Sequence, residues 1–470
     1  MEDSEKVTEQ TLPEVLGQYA AANTARFHMP GHKGRGMGGF WQSALMKWDV
    51  TELSFSDNLH CPTGALQRAQ ERMAEAYGAK TSFYVVNGST AAVQAMLLSL
   101  DASERLLMSR DAHRCAISGA ALAGIEPQYI LPAYNGELGL WGMVTPEDLD
   151  RALTETGATA VLLTSPNYYG LCADIPALAE TAHRHGALLL VDGAHGAHFP
   201  FSEKLPTALG GYADLWTHSQ HKTMDALTQA ASLHVGDCRV KPETVRRMLA
   251  MIETSSPSYL LMASLDWSVF MGSRQDWTGQ VERMIQLEQA LGKGNGIAAL
   301  PEKPGAGIAE RDRTRLVLDA TERGLTGFQV AAELEKAGVY LEMADRNRIV
   351  LITTPEDDPD WYDRLTEGLL HLPYGKPGKR HLPDEAIYRE KPRRQMAVRE
   401  AVFARQEDVR LQDAAGRIAG VPAGVYPPGI SLAMPGEELS DSLIEYLQEE
   451  ARAGAALFGV QNGKVSCVHG

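Results

Sequence analysis

The stretch 187-ALLLVDGAHGAH-198 decides how this chain is read. Its opening apolar run has no polar alternation, which describes a strand buried on both faces, as in a parallel sheet covered by helices. The run stops at a carboxylate, Asp192, and then at small residues and histidines. Just upstream, 174-DIPALAETAHRHG-186 has helical spacing, with Asp174 as a possible N-cap, Pro176 in the first turn and Gly186 as terminator.

The same alternation extends outward over about 80–235. Val85-Val86, 105-RLLMS-109 and 160-AVLLT-164 read as further buried strands, and 89-STAAVQAMLLSL-100 as a helix between them. Strand–helix alternation implies right-handed crossovers and a mainly parallel sheet, so the fold class is α/β. Beyond about 270 the character changes. Segments 279–293 and 327-GFQVAAELEKAG-338 read as helices, and 314-TRLVLDAT-321 and 348-RIVLITTP-355 as strands, which fits a smaller α+β domain. The resulting division is an N-terminal arm (1–30), a large α/β domain (31–270), a small α+β domain (271–372), a Pro-rich basic linker (373–395) and a C-terminal domain (396–470).

Composition narrows the function. A chain of 470 residues with 44% hydrophobic and 22% charged residues can bury two or three cores. A net charge of −16 gives no electrostatic footprint for nucleic acid or an anionic membrane. The apolar runs fall far short of the ~20 residues of a membrane helix, and the polar, acidic start MEDSEKVTEQ is unlike a signal peptide. Cysteines 61, 115, 172, 238 and 467 are odd in number, scattered and without a CxxC pair. They argue against a disulfide framework or a zinc site and for a reducing, cytoplasmic location.

Ligands of open α/β sheets bind beyond the carboxyl ends of the strands. Those ends are 87-NGST-90, 110-RDAHR-114, 164-TSPNYYG-170, 192-DGAHGAH-198 and 218-HSQHKT-223. Singly, each has an ordinary explanation: a turn with an N-cap, a capped or paired Asp192, a solvated Lys222. Together they make one constellation. Ser89 and Thr90 open a helix whose free N–H groups suit an anion. With a strand-end Asp and a Lys on a later strand end, this is what pyridoxal phosphate requires. The loop 34-GRGMGG-39 lacks a preceding strand and the Lys-Ser/Thr of a P-loop, so it is set aside. A metal site built from Asp192, His195, His198, His218 and His221 is disfavoured by their spacing. Gly193, Gly196 and the small alanines suit the close approach of a flat ring better.

Several stretches carry a resemblance: 27-FHMPGHKGRG-36, 55-FSDNLHCPTG-64, 164-TSPNYYG-170, 191-VDGAHGAHF-199, 219-SQHKT-223 with 227-LTQ-229, 254-TSSPSYLLMASLD-266, and 426-YPPGI-430 with 435-PGE-437. The chain resembles the Orn/Lys/Arg decarboxylase family, fold-type-I (aspartate-aminotransferase-like) pyridoxal-phosphate enzymes. In particular it looks like the short biosynthetic arginine/lysine decarboxylases that lack the extra N-terminal wing domain. The resemblance implies that Lys222 is the Schiff-base lysine, Asp192 the pyridinium partner and His113 the histidine stacked on the ring. It also implies that Ser89, Thr90 and Ser219 contact phosphate, that Ala194 packs beneath the ring and that His195 adds a cofactor contact. His221 contacts phosphate or serves in proton transfer. A homodimer or higher homo-oligomer with shared active sites follows, with 254-TSSPSY-259, and Ser256 in it, reaching the neighbour's cofactor. The implied reaction is decarboxylation of a basic L-amino acid with CO2 release, with arginine to agmatine placed before lysine to cadaverine, and ornithine third. Arg417 is the arginine weighed as a grip on the substrate carboxylate. Three departures stand out: Gly193 replaces a common Glu, 110-RDAHRC-115 replaces RNxHKS, and 429-GIS-431 replaces GIP. The alternatives are an aminotransferase or lyase on the same fold, or a non-catalytic regulatory homologue.

Overall fold

The computed structural model describes residues 19, 21–22, 24–35, 47–53, 55–292, 295–376, 379–426 and 429–470. Most of the N-terminal arm, most of 34-GRGMGG-39 and the two prolines of 426-YPPGI-430 lie outside these residues.

The large domain is built on seven strands: β1 (Thr81–Val85), β2 (Leu106–Ser109), β3 (Gln128–Ile130), β4 (Ala160–Thr164), β5 (Leu188–Asp192), β6 (Leu215–His218) and β7 (Ala231–Val235). Their order across the sheet is β1-β7-β6-β5-β4-β2-β3. Pairing is parallel from β6 through β5, β4 and β2 to β3. Strand β7 alone runs antiparallel, to both β6 and β1. The mainly parallel α/β sheet expected from the sequence is thus present.

Continuous apolar runs fill the centre because both sheet faces are covered. One face carries the Ala-rich helices Gly88–Leu98 and Arg114–Ala123, in a core with Met96, Leu97, Ile117 and Leu190. The other carries Pro146–Thr156 and Ile175–Arg184, around Leu149, Leu178, Leu189 and Trp216. Asp174 caps its helix as expected, its side chain accepting the Ala177 N–H. Each fully buried Leu contributes about 1.5–3 kcal/mol of apolar transfer. Only Val85 of the expected pair Val85-Val86 is in a strand, which begins at Thr81. Its polar start hides the strand in the sequence, since Ser82 is buried and bonded to His234 Nδ1 at 2.7 Å.

A four-stranded antiparallel sheet follows, ordered Ala298–Ala299, Arg315–Asp319, Arg348–Ile352, Met343–Ala344. Helix Gly327–Lys336, closed by a Thr326/Gln329 capping box, and helix Pro359–Leu370 pack in its core. Strand Ala25–Phe27 pairs in parallel with Val339–Leu341, which ties the arm to this unit. Within 373–395, helix Glu385–Arg389 buries Tyr388, whose ring lies 5.0 Å from that of Trp141. The C-terminal part has two three-stranded sheets and helix Asp441–Arg452 around Leu432, Leu443 and Leu447. All five cysteines are unpaired. Among the described residues no helix is long and apolar enough to cross a membrane.

Candidate active site

The expected strand ends converge on one cavity of about 590 Å³, a size suited to a small-molecule site. Helix Gly88–Leu98 points its N-terminus at it. Asn87 makes no side-chain cap, so the first-turn N–H groups are left for a ligand. Gly88, Ser89 and Thr90 line the wall there, and the Ser219 hydroxyl donates to Ser89 Oγ at 2.7 Å. Gly88 takes φ +74°, which lets the chain turn from strand to helix.

Asp192 ends β5 in the middle of the sheet, almost fully buried, and its Oδ1 accepts the Ala194 N–H at 3.2 Å. Ala194 lines the cavity beside it. His113 is the N-cap of helix Arg114–Ala123; its Nδ1 accepts the Cys115 N–H at 3.3 Å, and its ring stands exposed on the cavity wall. Lys222 and His221 lie on the single turn Gln220–Thr223 after β6. The back of this turn receives 30-PGHKG-34. Gly31 N donates to His221 O at 2.8 Å, and a Cβ on Gly31 would lie 2.5 Å from Met224 O. The glycine is required by close approach, which explains that stretch of sequence.

Lys222 Nζ lies 2.9 Å from His195 Nε2, and Arg315 donates to His195 Nδ1 at 3.0 Å. Tyr168 packs on the His195 ring at 4.9 Å, and its hydroxyl donates to Glu342 Oε1 at 2.5 Å. Burial, the largest cause, pulls the Lys222 amine below the usual lysine range against the opposing pull of Asp192. Burial also holds His195 well below, and His221 down at about 4. Asp111, on the same cavity, is pushed up to about 6 by burial, with Asp192 adding to it.

The structure corrects one expectation. Gly193 and Gly196 do not line the cavity. Their Cβ positions are taken by Leu209 and Thr217, and by Pro166 and Phe199, so these glycines serve packing inside the protein. The histidines weighed as metal ligands disperse: His195 faces Lys222, His198 pairs with Asp312 at 3.2 Å, and His218 contacts His234 at 3.4 Å. No group of three or more potential ligands occurs among the described residues. Arg417 is not among the residues lining the cavity. It is spent on Glu407 and the Val468 carbonyl.

Ser256 is exposed and does not line the cavity of its own chain. Sequence reasoning missed Arg315 and Glu342. Neither left a local signal: Arg315 opens a strand, 315-RLVLD-319, that carries a charge at each end. The C-terminal part closes the rim with Tyr426, Gly429, Ile430, Ser431 and Phe458.

The sheet order and the strand-end site define an aspartate-aminotransferase-like, fold-type-I enzyme. Residues 11–303 match the Orn/Lys/Arg decarboxylase major domain, and residues 384–463 match the C-terminal domain of the same family. An arginine decarboxylase from Bacillus subtilis is 32% identical, with 96% of each chain aligned. Another, from Halalkalibacterium halodurans, is 31% identical over 94% of each. The Escherichia coli constitutive lysine decarboxylase superposes with a TM-score of 0.76 at 19% identity, over 97% of this chain and 81% of that one. The chain belongs to the Orn/Lys/Arg decarboxylase family, and it is an amino-acid decarboxylase.

Proposed function

We propose that the cavity holds pyridoxal 5'-phosphate on Lys222 and decarboxylates L-arginine to agmatine. The observation that carries this reading is the placement of three groups around one cavity: the uncapped helix start at Gly88–Thr90, the buried Asp192 and the Lys222 amine. The residues fit the cofactor chemically. Unspent first-turn N–H groups and the hydroxyls of Ser89, Thr90 and Ser219 suit a phosphate, and a carboxylate at the strand end suits a protonated ring nitrogen. Thr164 Oγ1, buried on the wall of this cavity, has no hydrogen-bond partner among the described residues, which suits a polar ligand there.

When bound, the cofactor supplies an electron sink for the pair left as the Cα–carboxylate bond breaks. The chain supplies the rest. Asp192 would hold a proton on the ring nitrogen, and His113 and Ala194 would contact the ring. His195 orients the Lys222 amine. His221 donates Nδ1–H to the Ala230 carbonyl at 3.0 Å, which leaves Nε2 as its nitrogen for proton transfer. Tyr426, Ile430 and Phe458 put apolar surface at the mouth.

Support for arginine comes from the two relatives named arginine decarboxylase. A homodimer with shared sites is part of the same proposal, with Ser256 acting in the neighbour's site. So is a cytoplasmic location, which the unpaired cysteines favour. The test is purified protein with pyridoxal phosphate offered arginine, lysine and ornithine, with the amines identified. Agmatine as the main product is expected; cadaverine or putrescine would reassign the substrate, and no CO2 from any of them would reject the reading.

A further inference from the structure

Arg315 is fully buried on the first position of its strand, at 1% exposure, and reaches into the large domain past Gly170. Gly170 makes this possible: a Cβ there would sit 2.6 Å from Arg315 Cβ, and its φ of +73° also favours glycine. The guanidinium hydrogen-bonds His195 Nδ1, while its Nε and other terminal nitrogen have no partner among the described residues. Asp312 lies within electrostatic reach. A buried guanidinium whose hydrogen bond goes to a neutral ring is costly to keep, and stability alone does not explain it.

The hydrogen bonds fix a protonation pattern. A guanidinium only donates, so His195 Nδ1 must present its lone pair. A neutral imidazole then carries its one proton on Nε2. That N–H points at Lys222 Nζ, 2.9 Å away, and needs a lone pair there. An ammonium has none. With Lys222 protonated, one imidazole lone pair would face two obligate donors, one at each nitrogen. The pattern closes only with Lys222 as a neutral amine.

We propose that Arg315 is a positioning residue: it locks His195 as the Nε2–H tautomer, which holds Lys222 as the neutral amine that captures the cofactor. This rests on the cofactor reading above. Capture forms a C=N bond between Nζ and the cofactor's aldehyde carbon. The aldehyde oxygen leaves as water with the two hydrogens of the neutral amine. The charged and titratable groups acting on this arrangement are Asp192, Arg315, Glu342 and Cys115 around Lys222, and His113, His221 and Arg315 around His195. Asp192 and Glu342 favour the ammonium, and burial with Arg315 opposes them, so the locked tautomer tips a contested balance.

Two measurements test the proposal on the full chain stripped of cofactor. The first is 15N NMR of histidine-labelled protein, with His195 assigned by difference against His195→Gln. An unprotonated Nδ1 and a protonated Nε2 are expected; the opposite tautomer or an imidazolium overturns the proposal, whatever any variant does. The second is the pH profile of pyridoxal phosphate capture at Lys222, read by borohydride trapping and peptide mass spectrometry. In Arg315→Met the midpoint should rise by about one pH unit or more, slowing capture about tenfold at pH values below both midpoints, and the proton should move to Nδ1. A shifted midpoint with an unchanged tautomer would make Arg315 a distant charge and nothing more, and the proposal fails. If wild-type Lys222 captures no cofactor, the functional reading itself fails. Normal capture from the opposite tautomer overturns the relay alone.

Discussion

Arg110 and Glu437 form a buried, two-pronged ion pair, at 2.7 and 3.1 Å, between the end of β2 and the C-terminal part. Arg110 also donates to the carbonyls of Ser431 and Leu432, and Glu437 accepts the Met434 N–H at 2.8 Å. The pair thus fixes the rim residues Gly429–Ser431 over the strand end that carries Asp111 and His113. It gives the late 435-PGE-437 stretch a physical role: the glutamate is an anchor for the rim of the cavity.

Glu437→Ala leaves the Arg110 charge buried without its carboxylate, so it should cost about 3–5 kcal/mol of stability. It should also raise KM as the rim loosens. Urea unfolding beside steady-state kinetics checks this. A cost below about 1 kcal/mol with unchanged KM would show that the pair does not hold the rim.

Asp192→Ala removes the proposed partner of the ring nitrogen. Cofactor should still be retained through Lys222 and the phosphate site, while turnover falls by on the order of 10²–10³-fold or more. Cofactor content per chain and kcat, measured on one preparation, separate the two effects. Lost stability with unchanged turnover per folded enzyme would reduce Asp192 to a structural residue.

How much of this was legible in the sequence depends on whether the signal was local. The apolar run ending at Asp192, the helix capped by Asp174 and the Lys222 turn are local patterns, and the structure places them as expected. The glycines of 192-DGAHGAH-198 were misassigned because their reason is tertiary: Leu209 and Pro166 come from distant segments. Arg315 was invisible for the same reason. It lies 120 residues from His195 in the chain, and nothing local tells a buried strand arginine from a surface one. Arg417 drew attention by residue type alone, and its contacts sent it elsewhere.

Stability should fall on mild acidification. His218 and His234 are buried and held neutral, His218 down at about 3 and His234 well below the ordinary value, in both cases chiefly by burial. The unfolded chain therefore binds protons that the folded chain refuses. Stability is full above about pH 6.5, the free histidine value. It drops as pH falls toward the folded values, by up to about 1.4 kcal/mol per pH unit for each such histidine. Unfolding free energy measured from pH 7.5 to 5 checks the sign; a flat profile would mean that these histidines accept protons in place.

The shared-site reading predicts complementation. A Lys222→Ala chain and a Ser256→Trp chain are each disabled, in different halves of a two-fold site. Mixed after dissociation, they should recover up to roughly a quarter of wild-type activity, because half of random dimers carry one intact site of two. No recovery despite heterodimers seen by native mass spectrometry would mean that each chain builds its site alone.

The central claim is that Lys222 carries the cofactor, and borohydride reduction followed by peptide mass spectrometry tests it most directly. Lys33 is the rival amine. It is fully buried, with Nζ already donating to the His28 and Ile352 carbonyls at 3.0 and 2.8 Å, and burial lowers it to about 8. One pyridoxyl label per chain on Lys222, absent from Lys222→Ala, is the predicted result. A label on Lys33, or a Lys222→Ala chain that turns over normally, would contradict the account.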